Sequence, residues 1–300
     1  MLQRRATLSA MDVLVLLTPQ HPEGVLVDAD TPHFSPLAQG IARGDGIFET
    51  MLFDGERVKK MDEHLWRLRR SGTITDIEVP SDEHWRAAVD TALSAWRYEP
   101  LEGMIPNEAM VKLFVMRGYA PESPDGYAWI VVTPLPAALR PEHPIRVSLL
   151  SRGFSSTTAQ TSPWLLLGAK TLSYATNMAA LREARRRGAD DVIFTTTDDF
   201  VLEAPTASVF IKQGRTLITP PTDVGILPGT TQRVLFRAAQ QHGWDATVER
   251  LTPNDLLAAD GVWLSSSGRL LSQVGWIDDQ AISLDDAAHR ELSQILRDTE

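Results

Sequence analysis

A proline-rich stretch decides the organisation of this chain: Pro134-Leu-Pro-Ala-Ala-Leu-Arg-Pro-Glu-His-Pro144 holds four prolines in eleven residues. Proline lacks the backbone N–H that helices and central strands need, so such a stretch indicates a linker. A chain of 300 residues is long enough for two hydrophobic cores. We therefore predict an N-terminal domain over residues 1–133, a linker over residues 134–144 and a larger C-terminal domain over residues 145–300.

The region before the linker combines strand and helix patterns. Residues 47–53, the pair Asp54-Gly55 and residues 57–58 are typical of a β-hairpin with an Asp-Gly turn. Asp62 is predicted to cap the next helix at its N-terminus. A second helix is predicted over residues 82–96, because its apolar residues recur with helical spacing.

The region after the linker is predicted to contain hairpins as well as helices. A helix over residues 173–187 has an apolar stripe that includes Met178 and Ala184. Residues 191–196 and 201–211 are predicted to pair as a hairpin. Because hairpins outnumber βαβ units, we predict an α/β protein of the α+β type, with two domains built on mixed sheets rather than a doubly wound parallel sheet.

Composition argues against several functions. The net charge is −10, whereas a nucleic-acid surface needs clustered Lys and Arg. The chain has no cysteine for thiolate chemistry, its seven histidines are not spaced for a metal site, and no apolar run approaches a membrane span. Arg4 and Arg5 before apolar residues 11–17 imitate a signal peptide, but Asp12 interrupts that run, so we predict a β-strand there. We expect a cytoplasmic protein that binds a small molecule and has no metal, nucleic-acid or membrane partner.

Lys170 is the first candidate for chemistry. It ends the apolar segment Trp164-Leu-Leu-Leu-Gly-Ala169, whose residues are expected to be buried. Burial lowers the pKa of an amine, and a neutral amine can attack a carbonyl carbon, which is what a Schiff-base lysine requires. A lysine that extends from a strand end into solvent is the alternative interpretation.

Hydroxyl groups and one carboxylate form a second set of candidates. Thr230 and Thr231 open a predicted helix, where backbone N–H groups and hydroxyls can bind an anion, although ordinary N-capping explains the same residues. The stretch Ser265-Ser-Ser267 could bind phosphate in a similar way, or form a polar turn. Glu203 lies in a strand pattern and could face solvent at a sheet edge.

The order of these motifs is more informative than any one of them. They are Gly44-Asp-Gly-Ile-Phe-Glu49, Glu63-His-Leu-Trp-Arg-Leu68, Leu167-Gly-Ala-Lys170, Val201-Leu-Glu203, Leu227-Pro-Gly-Thr-Thr231 and Ser265-Ser-Ser267. In this order and spacing, the chain resembles the class IV (fold type IV) family of enzymes that depend on pyridoxal 5'-phosphate (PLP). That family includes branched-chain aminotransferases, D-amino-acid aminotransferases and aminodeoxychorismate lyases. The resemblance extends over nearly the whole chain, from about Val25 to Val274.

The resemblance implies a fold, a cofactor and roles for single residues. The fold is that of D-amino-acid aminotransferases, with PLP in the cleft between a small N-terminal domain and the PLP-binding C-terminal domain, in a homodimer. Lys170 matches the catalytic lysine that carries PLP as a Schiff base and moves the proton at the substrate Cα, and Glu203 matches the carboxylate that pairs with the ring nitrogen. The matches to the phosphate-binding residues are the side chains of Arg67, Thr231 and Ser267, with backbone groups of Thr230 and Ser266 beside them.

The reaction is less determined than the cofactor. Residues 25–30, 43–49 and 169–175 are most similar to actinobacterial proteins identified as aminodeoxychorismate lyases, which convert 4-amino-4-deoxychorismate to 4-aminobenzoate and pyruvate on the folate route. Lyases place an arginine before a Gly-Tyr pair, whereas Asp125 precedes Gly126-Tyr127 here. We therefore keep three readings open. The preferred one is the lyase, the alternative is a class IV amino-acid aminotransferase of branched-chain or D-amino-acid type, and the third is a non-catalytic protein that holds PLP.

Overall fold

The computed structural model describes residues 12–118 and 126–299 and divides into two compact units. Of these residues, the first unit comprises 12–118, 126–139 and 169–173, and the second comprises 140–168 and 174–299. These units differ from the predicted domains because the first unit continues past residue 133 and takes in a short segment from the second half of the chain. Arg4, Arg5 and Asp125, which entered the sequence-based predictions, lie outside the described residues.

The first unit is built on a five-stranded sheet in the order β2-β1-β5-β4-β3, with every neighbouring pair antiparallel. The strands are β1 (Val13–Thr18), β2 (His21–Val27), β3 (Gly46–Phe53), β4 (Met104–Met116) and β5 (Tyr127–Pro136). The helices are α1 (Gln39–Arg43), α2 (Met61–Thr75) and α3 (Asp82–Ala95). Strand β1 therefore occupies the apolar run that imitated a signal peptide.

One face of this sheet and two helices form the core of the first unit. Alternate residues of β4, such as Val111 and Leu113, are buried because successive side chains of a strand point to opposite faces. Leu65 of α2 and Trp85 of α3 belong to the same hydrophobic cluster. The predicted helix over residues 82–96 is confirmed as α3, and the hydroxyl of Ser81 caps its N-terminus.

Three local predictions in this unit differ from the structure. Helix α2 begins at Met61 behind Lys60, which has a φ of 57°, so Asp62 lies inside the helix and is not its cap. The hairpin after β3 is reduced to a single bridge between Phe53 and Val58. Strand β5 runs to Pro136, so the predicted linker begins inside a strand. Its prolines are tolerated there because the pairing between β4 and β5 is irregular at that end.

The second unit is built on an eight-stranded mixed sheet in the order β10-β9-β8-β11-β12-β6-β7, with β13 paired to β12. The strands are β6 (Ile145–Ser151), β7 (Asp191–Thr195), β8 (Ser208–Gln213), β9 (Thr216–Thr219), β10 (Asp245–Val248), β11 (Gly261–Ser266), β12 (Leu270–Ile277) and β13 (Gln280–Ala281). The helices are α4 (Thr158–Thr161), α5 (Ala175–Arg186), α6 (Thr230–Gln241), α7 (Pro253–Ala258) and α8 (Asp286–Asp298). Among the described residues, no helix has the length and apolar character that crossing a bilayer requires.

Both faces of the central strands in this sheet are buried. Phe210 of β8 packs in a cluster with Leu235 of α6 and Leu292 of α8. Its neighbours Val209 and Ile211 point to the other face and belong to a separate hydrophobic cluster. A sheet covered on both faces holds the ends of its strands in fixed positions, and several candidate site residues follow those ends.

Two predictions in the second unit are wrong. Residues 191–196 and 201–211 do not form a hairpin, because β7 pairs in parallel with β6 while β8 pairs with β9 and β11, and one bridge joins Thr195 to Val201. The stripe of α5 is also displaced: Ala184 is buried as predicted, but Met178 is 44% exposed.

Candidate active site

Lys170 is held by the first unit. Its carbonyl oxygen accepts a hydrogen bond from the backbone N–H of Phe48 in β3, at 3.0 Å, and its own backbone N–H donates to the hydroxyl of Ser71 in α2, at 3.1 Å. The side-chain Nζ lies 4.2 Å from the centre of the Phe48 ring. The main chain on both sides of the lysine side chain is therefore anchored to regular secondary structure.

The prediction that the residues before Lys170 are buried is wrong. Trp164 is 72% exposed and Leu165 is 50% exposed. The reason is local: residues 163–165 form a 3-10 turn rather than a strand, and Leu166 follows with a φ of 55°. The position of Lys170 therefore comes from its pairing with β3 and not from the end of an apolar strand.

Arg67 lies on the buried side of α2, where it forms an ion pair with Glu49 of β3. Its Nε donates to Glu49 Oε1 at 2.6 Å, and its Nη2 donates to Glu49 Oε2 at 2.8 Å. His64 lies one turn earlier and its Nδ1 is 2.7 Å from Glu49 Oε2. Arg69, in contrast, is exposed and pairs with Asp82, so Arg67 is the buried arginine of the motif.

The electrostatics of this cluster are dominated by burial. Glu49 and His64 are fully buried. Burial alone would raise the pKa of Glu49, but the charge and hydrogen bonds of Arg67 and His64 outweigh it and hold that pKa far below its ordinary value. Burial lowers the pKa of His64, and Glu49 offsets this only in part. At neutral pH the cluster is a charged Glu49–Arg67 pair with a neutral histidine that donates to the carboxylate.

Glu203 lies in the second unit, just after the bridge residue Val201, and is half-buried. Its carbonyl oxygen accepts from the backbone N–H of Phe194 at 3.0 Å, and its Oε2 accepts from the backbone N–H of Leu227 at 3.2 Å. The competing interpretation, in which Glu203 faces solvent at a sheet edge, does not fit a carboxylate that accepts a hydrogen bond from a main-chain amide.

Thr230 and Thr231 form the first turn of α6 and are almost fully buried, at 3% and 2% exposure. The helix has no side-chain cap, since its N-cap residue is Gly229. The Thr231 hydroxyl is buried and has no hydrogen-bond partner within the described ranges. The two threonine hydroxyls therefore do not cap this helix. A buried hydroxyl without a hydrogen-bond partner, at a helix N-terminus, is suited to bind an anion.

The serine motif lies at the end of β11. Ser265 and Ser267 are buried and Ser266 is half-buried. The Ser265 hydroxyl has no hydrogen-bond partner among residues 12–118 and 126–299, although the sequence favoured the other two serines for cofactor binding. The side chain of Arg140 donates from Nε to the carbonyl of Gly268 at 2.9 Å and so fixes the turn that follows. These hydroxyls and those of α6 fit the phosphate group of PLP.

The sequence reasoning missed Glu49 and His64, and it also passed over Arg117-Gly118-Tyr119, which matches the Arg-Gly-Tyr pattern of the lyases. Tyr119 lies outside the described residues. Arg117 donates from Nε to Asp45 at 2.8 Å, and its two other nitrogens donate to main-chain carbonyls at the end of α2. Its guanidinium therefore anchors a turn, and the pattern alone does not place an arginine at the substrate.

Comparison with known proteins identifies the family. The family model described as Amino-transferase class IV matches residues 46–277. The chain belongs to this family. It is therefore an enzyme, and its cofactor is PLP. The alternative of a non-catalytic protein that holds PLP is excluded.

Individual members of the family support the fold and the PLP chemistry. A bifunctional aminodeoxychorismate lyase / D-amino acid transaminase from Mycobacterium tuberculosis is 39% identical over 249 residues, which are 80% of this chain and 84% of that protein. The structure of the fold IV transaminase CpuTA1 from Curtobacterium pusillum has a TM-score of 0.85 at 36% identity and covers 95% of this chain and 97% of its own. A PLP-bound hypothetical aminotransferase from Mycobacterium tuberculosis has a TM-score of 0.84 at 32% identity, with the same coverage. The predicted fold type IV is confirmed.

Proposed function

We propose that Lys170 carries PLP covalently and moves the proton at the Cα atom of an amino substrate. PLP, when bound, supplies an electron sink that stabilises negative charge at that carbon. The observation that carries the proposal is the anchoring of the Lys170 main chain to Phe48 and Ser71, which leaves the side chain as the moving part. A base with a fixed backbone and a mobile amine can return to the same carbon in every turnover.

The phosphate group of PLP is proposed to bind Arg67, Thr231 and Ser267, with backbone groups of Thr230 and Ser266. The support is chemical: a guanidinium, two hydroxyls and a helix N-terminus are all suited to an anion. The unpaired Thr231 hydroxyl is the strongest part of that support. Glu49 accepts hydrogen bonds from two nitrogens of Arg67 and so fixes the orientation of the guanidinium. Arg67 would therefore position the phosphate as well as neutralise its charge.

The ring nitrogen of PLP is proposed to pair with Glu203. A carboxylate at that place keeps the nitrogen protonated, and a protonated ring accepts charge from the substrate carbon more readily. The hydrogen bond from the backbone N–H of Leu227 favours the charged form of Glu203 and restrains its direction.

The reaction that we propose is the release of pyruvate and 4-aminobenzoate from 4-amino-4-deoxychorismate. The support is the identity of 39% with the bifunctional Mycobacterium tuberculosis protein, whose name includes this lyase. The second candidate is amino-group transfer from a D-amino acid or a branched-chain amino acid. The transaminase half of the same name and the likeness to the Curtobacterium pusillum transaminase favour it.

The covalent role of Lys170 can be tested by trapping. Borohydride treatment of the PLP-loaded enzyme should abolish its visible absorption band and leave the cofactor attached to the peptide that contains Lys170, as found by mass spectrometry. Lys170→Ala should show no attachment. Lys212→Ala is a matched control, because that lysine pairs with Asp260 and Asp285, and it should behave like the parent enzyme. Attachment at another lysine would contradict the assignment.

The two reactions can be separated by their products. With 4-amino-4-deoxychorismate, the lyase predicts equal amounts of 4-aminobenzoate and pyruvate. With D-alanine or leucine and 2-oxoglutarate, a transaminase predicts glutamate and the corresponding keto acid. Formation of glutamate without any 4-aminobenzoate would overturn the lyase proposal, and formation of both sets of products would indicate a bifunctional enzyme.

A homodimer and a cytoplasmic location also belong to this proposal. The family resemblance implies the dimer, and the composition of the chain led us to expect the location. Light scattering coupled to size exclusion should give twice the chain mass of 33.2 kDa. A monomer that retains full activity would contradict the dimer. Fractionation of the source cells, with activity recovered in the cytoplasmic fraction, tests the location.

A further inference from the structure

Arg152 is a charged residue of the second unit to which the proposed function gives no role. It follows strand β6, and its backbone N–H donates to the carbonyl oxygen of Thr195 at 2.7 Å. The centre of its guanidinium lies 4.5 Å from the centre of the Phe194 ring. The side chain is therefore stacked over the end of the neighbouring strand, β7, and is partly buried there.

The main-chain hydrogen bonds of Phe194 bring Glu203 to the same place. Phe194 donates to the carbonyl of Glu203 at 3.0 Å and accepts from the backbone N–H of Leu202 at 2.8 Å. The main chain of Glu203 is therefore hydrogen-bonded to the residue that Arg152 covers. Tyr174 is the third group in this neighbourhood, since its hydroxyl donates to the carbonyl of Pro205 at 2.7 Å.

Arg152 is partly buried, and one nitrogen of its guanidinium is shielded from solvent. Its Nη1 is buried and has no hydrogen-bond partner in the described part of the chain. Burial lowers the pKa of Arg152, and the nearby Glu203 carboxylate and Tyr174 oppose this shift. Arginine keeps its proton in such surroundings, and a partly buried positive charge acts more strongly on a neighbouring carboxylate than an exposed one.

We propose that Arg152 is a positioning residue that keeps Glu203 anionic and directed at the ring nitrogen of PLP, so that the proton stays on that nitrogen. This inference rests on the proposed role of Glu203. Two states compete for one proton: a charged carboxylate with a protonated ring, and a neutral carboxyl with a neutral ring. The positive charge of Arg152 acts on the Glu203 carboxylate and stabilises its anionic form, so it favours the first state.

Removal of this charge should be visible in the spectrum of the bound cofactor. A less protonated ring withdraws less charge, so the groups conjugated with it become more basic. We expect Arg152→Gln to raise the pH midpoint of the visible absorption band by about one pH unit, the size expected for one nearby charge. If the pKa of the ring nitrogen also falls by about one unit and lies below the assay pH, its protonated fraction falls by about tenfold, and kcat should fall by up to that factor with little change in KM.

The experiment titrates the PLP-loaded enzyme and three variants and compares the absorption midpoints. Arg152→Lys keeps the charge and should retain the parent midpoint. Arg146→Gln is the matched control, because Arg146 lies on β6, which Arg152 follows, and also stacks on an aromatic ring, that of Trp276, at 4.6 Å. Its guanidinium, however, donates to the carbonyl oxygen of Asp278 and pairs with the carboxylate of Asp279. The control should leave the midpoint unchanged.

Each outcome supports or overturns the inference. An unchanged midpoint in Arg152→Gln, with PLP bound, overturns it, and so does a rise in KM at constant kcat, which would indicate direct contact with the substrate. If Arg152→Gln does not fold, Arg152→Lys provides the test: a shifted midpoint in that charge-preserving variant contradicts the proposal.

A double variant tests whether Arg152 acts through Glu203. In a Glu203→Gln background, Arg152→Gln should have no further effect on the midpoint, and additive effects of the two substitutions would overturn the proposal. If the parent enzyme shows no titrating band at all, the proposed function fails first and can be recognised as the cause.

Discussion

Replacement of Glu49 by glutamine tests whether the buried cluster of β3 and α2 is an electrostatic anchor. The substitution keeps the shape of the side chain and removes its charge. Glu49 is 0% exposed and accepts charge-assisted hydrogen bonds from two nitrogens of Arg67, at 2.6 and 2.8 Å, while His64 Nδ1 lies at 2.7 Å. A glutamine amide would present an N–H group to one of these donors, so at least one contact becomes repulsive.

The expected cost follows from what remains after the substitution. Arg67 would be left as a buried cation without its counter-charge, and removal of one partner from a buried ion pair costs about 3–5 kcal/mol. The exposed pair Arg69–Asp82 provides the comparison within the same unit, because its side chains are 48% and 40% exposed. Asp82→Asn should cost no more than about 1 kcal/mol, since solvent screens that pair.

Hydrogen exchange measured by mass spectrometry on the cofactor-free full chain can resolve these costs by region. In Glu49→Gln, the free energy of opening should fall for amides of β3 and α2, whereas amides of β8 and β11 in the second unit should be unaffected. Addition of PLP should recover part of the loss in the variant if Arg67 also binds the phosphate, because the phosphate then supplies a negative charge.

A double-mutant cycle with Arg67→Met completes the test. Because replacement of both members of a buried pair by neutral groups is often nearly neutral, the double variant should be more stable than Glu49→Gln alone. The reasoning fails if Glu49→Gln costs no more than Asp82→Asn, or if the costs of Glu49→Gln and Arg67→Met simply add.

Three further predictions concern the two units separately. The pKa values of Glu49 and His64 are both lowered in the folded chain, so the unfolded chain binds more protons at acidic pH. The free energy of unfolding should therefore fall as the pH drops below 6.5, the ordinary pKa of histidine, and again below 4.5, that of glutamate. In pH-dependent denaturation, Glu49→Gln should flatten the second fall. Thr231→Val keeps the volume but removes the buried hydroxyl, so PLP should bind about 10–100-fold more weakly in equilibrium dialysis, and unchanged affinity would exclude a phosphate contact. Gly229→Ala would place a Cβ atom in steric conflict with the Ser208 hydroxyl, so thermal unfolding should report a loss of about 1–3 kcal/mol in the free energy of unfolding. Ser208→Gly should reduce that loss, and an equal loss in the double variant would exclude this clash as the cause.

Sequence patterns predicted the local elements well where one periodicity was sufficient. Helix α3 was predicted nearly to its ends because its apolar residues keep a helical repeat, and the structure adds the Ser81 cap at its N-terminus. The pairing of β7 was not predictable in this way. Its partner is β6, more than forty residues earlier in the chain, and no pattern within residues 191–211 specifies a parallel partner.

The cluster around Glu49 shows both the reach and the limit of sequence reasoning about the site. A signal was present: in β3, Ile47, Glu49 and Met51 occupy the same phase, so a carboxylate stands where the strand is otherwise apolar. A charged residue in a buried phase requires a partner, and His64 and Arg67 lie three residues apart on one face of α2. No sequence pattern shows that β3 and α2 face each other, since that depends on the packing of the whole unit.

The same limit applies to Lys170. Its role was inferred from the order of distant motifs, whereas the apolar residues just before it suggested a burial that the structure does not have. In this chain the charges that must be paired are visible in the sequence, and their partners become visible only in the fold.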